Sequence, residues 1–118
     1  MSENNDLTHL LERLEAFEDK FDLRLSALSA FIGEFTTEVW VGGELHPREG
    51  MQLKQPIFLS VDSYDAAGRF VGGSGLHLKP EQVYGYYPFS VVFRPRVAVA
   101  DLAKIRIFPM PWKPKPGE

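Results

Sequence analysis

The chain has 118 residues, of which 44% are hydrophobic and 25% are charged. This length and composition are typical of one globular domain and exclude a chain that is disordered over its whole length. The net charge of −3 argues against a nucleic-acid partner. The absence of cysteine excludes disulfides and thiolate metal sites. Because no window approaches the ~20 apolar residues of a membrane span and the N-terminus lacks a signal-peptide pattern, we predict a cytoplasmic protein without membrane association.

The first 33 residues carry a strong apolar repeat. Leucines and phenylalanines recur at spacings of three and four from Leu7 to Phe31, and this heptad pattern predicts a long amphipathic helix that Gly33 ends. Because such a stripe cannot stay in water, we expect residues 1–33 to join a second copy of the chain as a coiled coil, forming a homodimer or higher oligomer. The residues expected in this oligomer interface are Leu7, Leu10, Leu14, Phe17 and Phe21.

A second interpretation fits the later part of this segment. Phe21, Leu23 and Leu25 alternate with polar residues, so residues 21–31 could instead be a first β-strand that follows a shorter helix over residues 7–20. The spacing of three and four continues beyond this point, and for that reason the helix is the favoured prediction.

Residues 34–108 show the alternation with a period of two that is typical of β-strands. Five short strands separated by turn residues indicate an antiparallel β-sandwich or a small open barrel, with one helical turn that starts at Pro80. The residues expected in its core are Val39, Val41, Ile57, Leu59, Val61, Val91, Phe93, Ile105 and Ile107. The first strand is expected at 35–46, with Phe35 on its inward face.

The centre of this domain is a β-hairpin over residues 57–78. Its turn is Asp65-Ala66-Ala67-Gly68, in which the Asp side chain can bind the backbone ahead of it and the Gly can adopt a positive φ. The sequence therefore predicts a type I turn with a glycine bulge, which sets Tyr64 opposite Phe70.

A family resemblance rests on the same hairpin. The run Val61-Asp62-Ser63-Tyr64-Asp65, then Gly68 and later a Phe-x-Val-x-Phe strand from Phe89 to Phe93, resembles the small bacterial immunoglobulin-like domains of the FxLYD type over about residues 36–108. Ser63 stands where that family has Leu. The resemblance implies an immunoglobulin-like β-sandwich that acts as an accessory module without catalytic residues.

No group of residues predicts a catalytic or metal site. His9, His46 and His77 lie far apart and lack the spacing of metal ligands. Gly72-Gly73-Ser74-Gly75 leads into strand residues and not into the helix that a phosphate-binding loop needs. We therefore predict that the protein is not an enzyme and uses no cofactor or metal ion.

The most distinctive chemical feature is a tyrosine cluster before the fourth strand. Tyr84, Tyr86 and Tyr87 could offer flat rings and hydroxyl groups to a sugar or a protein partner, or could close one end of the domain. If the alternation runs back from Phe89, Tyr86 is the ring expected to be exposed.

Residues 109–118 form a proline-rich tail that is not expected to enter a sheet interior. The tail could be a polyproline II ligand, or an extended terminus in which Trp112 packs on its own domain or on a neighbour.

Two functions follow from these observations. The first is a non-catalytic protein-interaction module that self-associates through residues 1–33. The alternative is a domain that binds a small ligand, with carbohydrate as the leading class, through the tyrosine cluster.

Overall fold

The computed structural model describes residues 5–33, 37–48 and 52–114. These residues form strands β1 (Leu11–Arg13), β2 (Leu23–Ile32), β3 (Val39–Pro47), β4 (Ile57–Asp65), β5 (Phe70–Leu78), β6 (Tyr87–Phe93) and β7 (Leu102–Pro111), with helix α1 (Glu15–Lys20) between β1 and β2. Single 3-10 turns lie at Thr8–Leu10, Pro80–Gln82 and Val99–Asp101. The described chain is therefore mainly β with one short helix, and the predicted turn at Pro80 is confirmed.

The strands form two sheets. The first sheet has the order β1-β7-β4-β5, in which β1 runs parallel to β7 and the other neighbours are antiparallel. The second sheet has the order β2-β3-β6 and is antiparallel. Buried residues from both sheets form one hydrophobic core, and this shared core holds the sheets together.

The inward residues of the strands were predicted correctly by their alternation. All the core residues expected from the sequence are buried, namely Val39, Val41, Ile57, Leu59, Val61, Val91, Phe93, Ile105 and Ile107. The expected inward residue Phe35 lies outside the described residues.

The turn between β4 and β5 also matches its prediction. The N–H of Gly68 donates to the carbonyl of Asp65 at 2.9 Å, and Asp65 Oδ1 accepts the N–H groups of Ala67 and Arg69 at 3.0 and 2.9 Å. Gly68 has a φ of +82°, and the bulge pairs Tyr64 with Phe70. The Asp side chain and the Gly backbone thus fix the register of the hairpin.

The prediction of one helix through about residue 31 is wrong. The helix α1 ends at Lys20, and the residues from Leu23 to Ile32 form β2, so the second interpretation is right about this strand. Its shorter helix over residues 7–20 is wrong in extent, because residues 8–13 form a 3-10 turn and β1, and only Glu15–Lys20 is helical. Leu23 and Leu25 are fully buried, whereas Arg24 between them is exposed. Among the described residues, no helix has the length and apolar character needed to cross a membrane.

A β-bulge in β2 explains the helix-like spacing. The pairing with β3 shifts between Ser26 and Ser29, and Ala27 inside the bulge has a φ of +52°. The extra residue breaks the period of two, so Leu25 and Leu28 both reach the core although they are three positions apart. The local pattern of a bulged strand therefore resembles one turn of a helix.

The proline-rich tail also begins later than predicted. The strand β7 extends to Pro111, and its last residues pair with the start of β4. The parallel neighbour β1 pairs with β7 only as far as Ile107, so one side of β7 is free beyond that residue. Prolines at alternate positions, Pro109 and Pro111, fit such a half-paired strand because their missing N–H groups point to one side.

The residues before β2 cover its free edge. The N–H of Leu7 donates to the carbonyl of Ala30 at 2.8 Å, and the N–H of Ala30 donates to Thr8 Oγ1 at 3.1 Å. Further along the strand, the N–H of Leu25 donates to Glu18 Oε1 at 3.1 Å. The N-terminal segment therefore supplies the hydrogen-bond partners that a neighbouring strand would otherwise supply.

Glu18 is fully buried and accepts a two-point contact from Arg13. Arg13 Nη2 lies 2.5 Å from Oε1 and Arg13 Nε lies 3.0 Å from Oε2. The Arg13 side chain keeps 34% exposure, and its hydrogen bonds with Glu18 raise the pKa of Arg13 above its ordinary value. One carboxylate therefore joins α1 to both β1 and β2.

We predict that removing Arg13 destabilises the fold more than neutralising Glu18 does. Arg13→Met leaves the Glu18 carboxylate buried without a cation, so we expect a loss of about 3 to 5 kcal/mol in unfolding free energy at pH 7. Glu18→Gln should cost less, because water can still reach the Arg13 guanidinium. Urea unfolding followed by circular dichroism measures both changes.

The matched control is the double variant Arg13→Met with Glu18→Gln. It should recover part of the loss, because no charge is then left buried. An Arg13→Met variant within about 1 kcal/mol of wild type would show that the pair does not hold this corner of the fold.

A second ion pair joins β1 to β7 and predicts acid sensitivity. Arg106 Nε donates to Glu12 Oε1 at 2.6 Å, and this hydrogen bond lowers the pKa of Glu12 below its ordinary value of 4.5. Because the folded-state pKa is the lower one, the stability that Glu12 contributes is present above the ordinary pKa and is lost as the pH falls through the folded-state pKa.

We therefore expect Glu12→Gln to flatten the fall of the melting temperature below about pH 4.5. Thermal unfolding followed by circular dichroism across this range measures the effect. Glu81→Gln, on the exposed turn at Pro80–Gln82, is the control and should leave the slope unchanged. Equal slopes for wild type and Glu12→Gln would remove this pair as a source of acid sensitivity.

Candidate ligand-binding site

The second sheet presents one face to solvent, which we call the outer face. Along each strand of this sheet, buried residues alternate with half-buried or exposed residues. The outer face consists of Arg24, Ser26, Ser29 and Phe31 of β2, Trp40, Gly42, Glu44 and His46 of β3, and Pro88, Ser90 and Val92 of β6.

The face of the first sheet that points away from the core is partly covered by the chain itself. The ring of Phe17 in α1 meets Phe108 edge to face with centroids 5.4 Å apart. At the far end, His77 contacts Phe58 at 4.7 Å and Trp112 at 4.5 Å between ring centroids, so Trp112 packs on its own domain. The outer face of the second sheet is thus the more open of the two.

A cavity lies at one end of the outer face. Arg24 and His46 are directly opposite each other in the register of β2 and β3. They line a cavity of about 450 Å³ together with Ser26, Pro47 and Arg48. The alternation in β2 and β3 therefore places two cations and an imidazole around one space.

Tyr86 adds an exposed aromatic wall beside this cavity. Its ring stacks on His46 with centroids 5.6 Å apart and an interplanar angle of 16°. The N–H of Tyr86 donates to the carbonyl of Tyr84 at 2.9 Å, and Gly85 between them has a φ of +77°. These values define a γ-turn of the kind that needs a positive φ of about 75°, which a glycine adopts most easily.

The three tyrosines of the cluster have different surroundings. Tyr84 is 65% exposed and Tyr86 is 51% exposed, whereas Tyr87 is half-buried and packs against the core. Tyr86 is therefore the tyrosine whose ring reaches the cavity wall, through its stack on His46.

Arg24 is the cation best placed to accept a ligand. His46 Nε2 lies 3.1 Å from Glu44 Oε1, and the Arg48 guanidinium pairs with the Asp19 carboxylate. Within the described ranges, Arg24 has no ion-pair partner. A guanidinium offers five N–H donors in a planar fork that matches a carboxylate, a sulfate or a phosphate.

The residues predicted for an oligomer interface do not share one helix. Leu7 and Phe21 are buried in the core of their own chain, and Leu10 and Leu14 are half-buried. Phe17 is exposed on α1 but rests on Phe108. The predicted coiled-coil seam is therefore wrong, because the residues lie on separate elements. Self-association of the chain itself stays a prediction.

The sequence analysis missed the residues that line the cavity. The favoured helix includes Arg24, and the sequence gives His46 no role beyond a metal site that its spacing rejects. The alternation of Arg24 and Ser26 with Leu23 and Leu25 is the signal that would have placed them on a solvent-facing strand.

Metal chemistry receives no support from the side chains. His9 is exposed near the N-terminus, and His46 and His77 belong to different sheets. Over residues 5–33, 37–48 and 52–114, no group of three or more His, Cys, Asp or Glu residues is placed to hold a metal ion.

Comparisons of the chain with protein-family models, with curated proteins and with solved structures found no match.

We predict that Gly85 holds Tyr86 over His46. Gly85→Ala should be strained at this φ by about 1 to 3 kcal/mol, and the tyrosine ring should move away from the imidazole. The ring-proton shifts of His46 in NMR spectra report the stack. We expect Tyr86→Ala and Gly85→Ala to shift them in the same direction.

Tyr84→Ala is the matched control, because Tyr84 is more exposed than Tyr86 and its removal should leave the His46 signals in place. If Gly85→Ala leaves the His46 shifts at their wild-type values, the γ-turn does not position the ring.

Proposed function

We propose that this chain is a non-catalytic domain that binds an acidic sugar in the cavity between Arg24, His46 and Arg48. The observation that carries the proposal is the position of the Arg24 guanidinium, which has no ion-pair partner among the described residues, at an open depression of about 450 Å³. The exposed stack of Tyr86 on His46 lies beside this depression. Its volume is in the range of small-ligand pockets, which is about 300 to 1,000 Å³, and its open shape leaves room for a ligand to extend beyond it.

The chemistry of a sugar matches the chemistry of this cavity. A pyranose ring has an apolar C–H face, and Tyr86 offers a flat ring on which that face can lie. The hydroxyl of Ser26, which lines the cavity, can bind a sugar hydroxyl. Arg24 can hold an acidic group with two parallel hydrogen bonds, which a neutral sugar does not provide.

The lining supports binding without catalysis. Glycoside hydrolysis ordinarily requires two carboxylic acids on either side of the bond that breaks. The described lining of the cavity contains two arginines, a histidine, a serine and a proline, and no carboxylate. Glu44 on the same face is engaged with His46.

The finer description of the fold is part of this proposal. An immunoglobulin-like β-sandwich of the FxLYD type is supported by two sheets that share one core and by the hairpin turn at Asp65. In such a fold the acidic-sugar site would lie on the exposed face of one sheet. An accessory role without catalysis agrees with the cavity lining.

The test is a titration of the isotope-labelled protein with glucuronic acid and with glucose, followed by NMR. We expect glucuronic acid to shift the signals of Ser26 and His46 and to bind about ten-fold more tightly than glucose. Arg24→Gln should remove this preference, and added salt should weaken it.

Arg69→Gln is the matched control, because it makes the same change of charge at an exposed site on the turn after β4. It should bind glucuronic acid like wild type. If wild type and Arg24→Gln bind glucuronic acid equally, or if neither binds it, the proposal fails.

A further inference from the structure

We infer that the outer face as a whole binds an oligosaccharide, with an acidic sugar in the cavity and neutral sugars extending along β3 to a second aromatic contact at Phe31 and Trp40. This inference rests on the proposed function and goes beyond it in the length of the ligand and in the second contact.

The second contact is a pair of rings at the other end of the outer face. Phe31 and Trp40 are directly opposite in the register of β2 and β3. Their rings are stacked, parallel to within 4° with centroids 6.2 Å apart. Phe31 is 41% exposed, although a large aromatic ring is ordinarily stabilised by leaving water. Among the described residues, the pair is covered on one side only, by the sheet, and part of the Phe31 ring stays accessible to a ligand.

The floor between the two ends is flat and polar. Ser29, Gly42 and Ser90 lie side by side across β2, β3 and β6. Gly42 has no side chain to block a ligand, and the two serines offer hydroxyl groups. The centre of a protein interface is ordinarily apolar and rich in large side chains. A sugar chain, with hydroxyls at its rim and apolar ring faces, fits this floor better than a protein surface does.

The distance between the two ends sets the length of the ligand. Trp40 and His46 lie on the same strand six positions apart, which corresponds to about 20 Å along β3. One monosaccharide cannot contact both. A ligand that uses both ring pairs must be an oligosaccharide.

The charge distribution sets where the acid lies. Arg24 and His46 are at the cavity end, where the Glu44 carboxylate is engaged with His46, whereas Phe31, Trp40, Ser29, Gly42 and Ser90 carry no charge. A chain with an acidic group on every sugar would leave most of those groups without a cation. The arrangement instead fits one acidic sugar followed by neutral sugars.

The experiment compares three probes by calorimetry. The first is a xylo-oligosaccharide that carries glucuronic acid on its terminal sugar, the second is the neutral xylo-oligosaccharide of the same length, and the third is glucuronic acid alone. We expect the acidic oligosaccharide to bind about ten-fold more tightly than either of the other two, because it alone reaches both ends.

Trp40 gives a separate readout. Trp40 and Trp112 are the two tryptophans of the chain, so in a Trp112→Phe background the fluorescence reports Trp40 alone. We expect both oligosaccharides to change this fluorescence and glucuronic acid to leave it unchanged. Trp40→Ala should reduce the affinity for the acidic oligosaccharide to that for glucuronic acid, and Trp40→Phe, which keeps a ring and controls for folding, should retain most of it.

The outcomes separate this inference from the proposed function. If glucuronic acid binds but the longer chain gains nothing and Trp40 does not respond, the inference is overturned while the acidic-sugar site stands. If none of the three probes binds, both fail. If the wild-type protein sediments as a dimer that Trp40→Ala converts to a monomer, a second copy covers this face and the inference is overturned.

Discussion

The Glu18 carboxylate has no contact with water, yet both of its oxygens are engaged. Oε1 accepts a hydrogen bond from the backbone N–H of Leu25, and both oxygens accept hydrogen bonds from the Arg13 guanidinium. Because removing a carboxylate from water costs several kcal/mol, this arrangement persists only when all its partners are in place. It therefore sets the position of α1 against β1 and β2, and with it the position of the strand from which Arg24 and Ser26 reach the cavity.

The apolar repeat of residues 7–21 serves the interior of the domain. Leu7 and Phe21 fill the core, while neighbouring backbone and side-chain groups satisfy the edge of β2. Glu12 of β1 pairs with Arg106 of β7, which ties the N-terminal segment to the last strand. A stripe that resembles a dimerisation helix is thus used to join the two sheets of one chain.

The strands β3 and β6, and β7 from Ile105 onward, could be predicted from the sequence because their buried residues keep a period of two. The hairpin of β4 and β5 could be predicted because its turn residues, Asp65 and Gly68, fix where the two strands meet. The strand β2 could not, since its bulge imitates a helical spacing and only pairing with β3 reveals the extra residue. The same error removed Arg24 from consideration. The stack of Tyr86 on His46 lay beyond sequence reasoning for a different reason: the rings belong to segments far apart in the chain, and only the neighbouring positions of β3 and β6 bring them together.

The N-terminal residues that cover the edge of β2 also limit how far the chain can be truncated from its N-terminus. A fragment that starts near residue 21 would keep every strand of the second sheet but would lose the partners of the N–H groups of Leu25 and Ala30. An uncapped strand edge recruits strands from other molecules. Such a fragment would associate and precipitate through backbone pairing. Its aggregation would come from the exposed edge of β2, which the N-terminal segment covers in the longer chain.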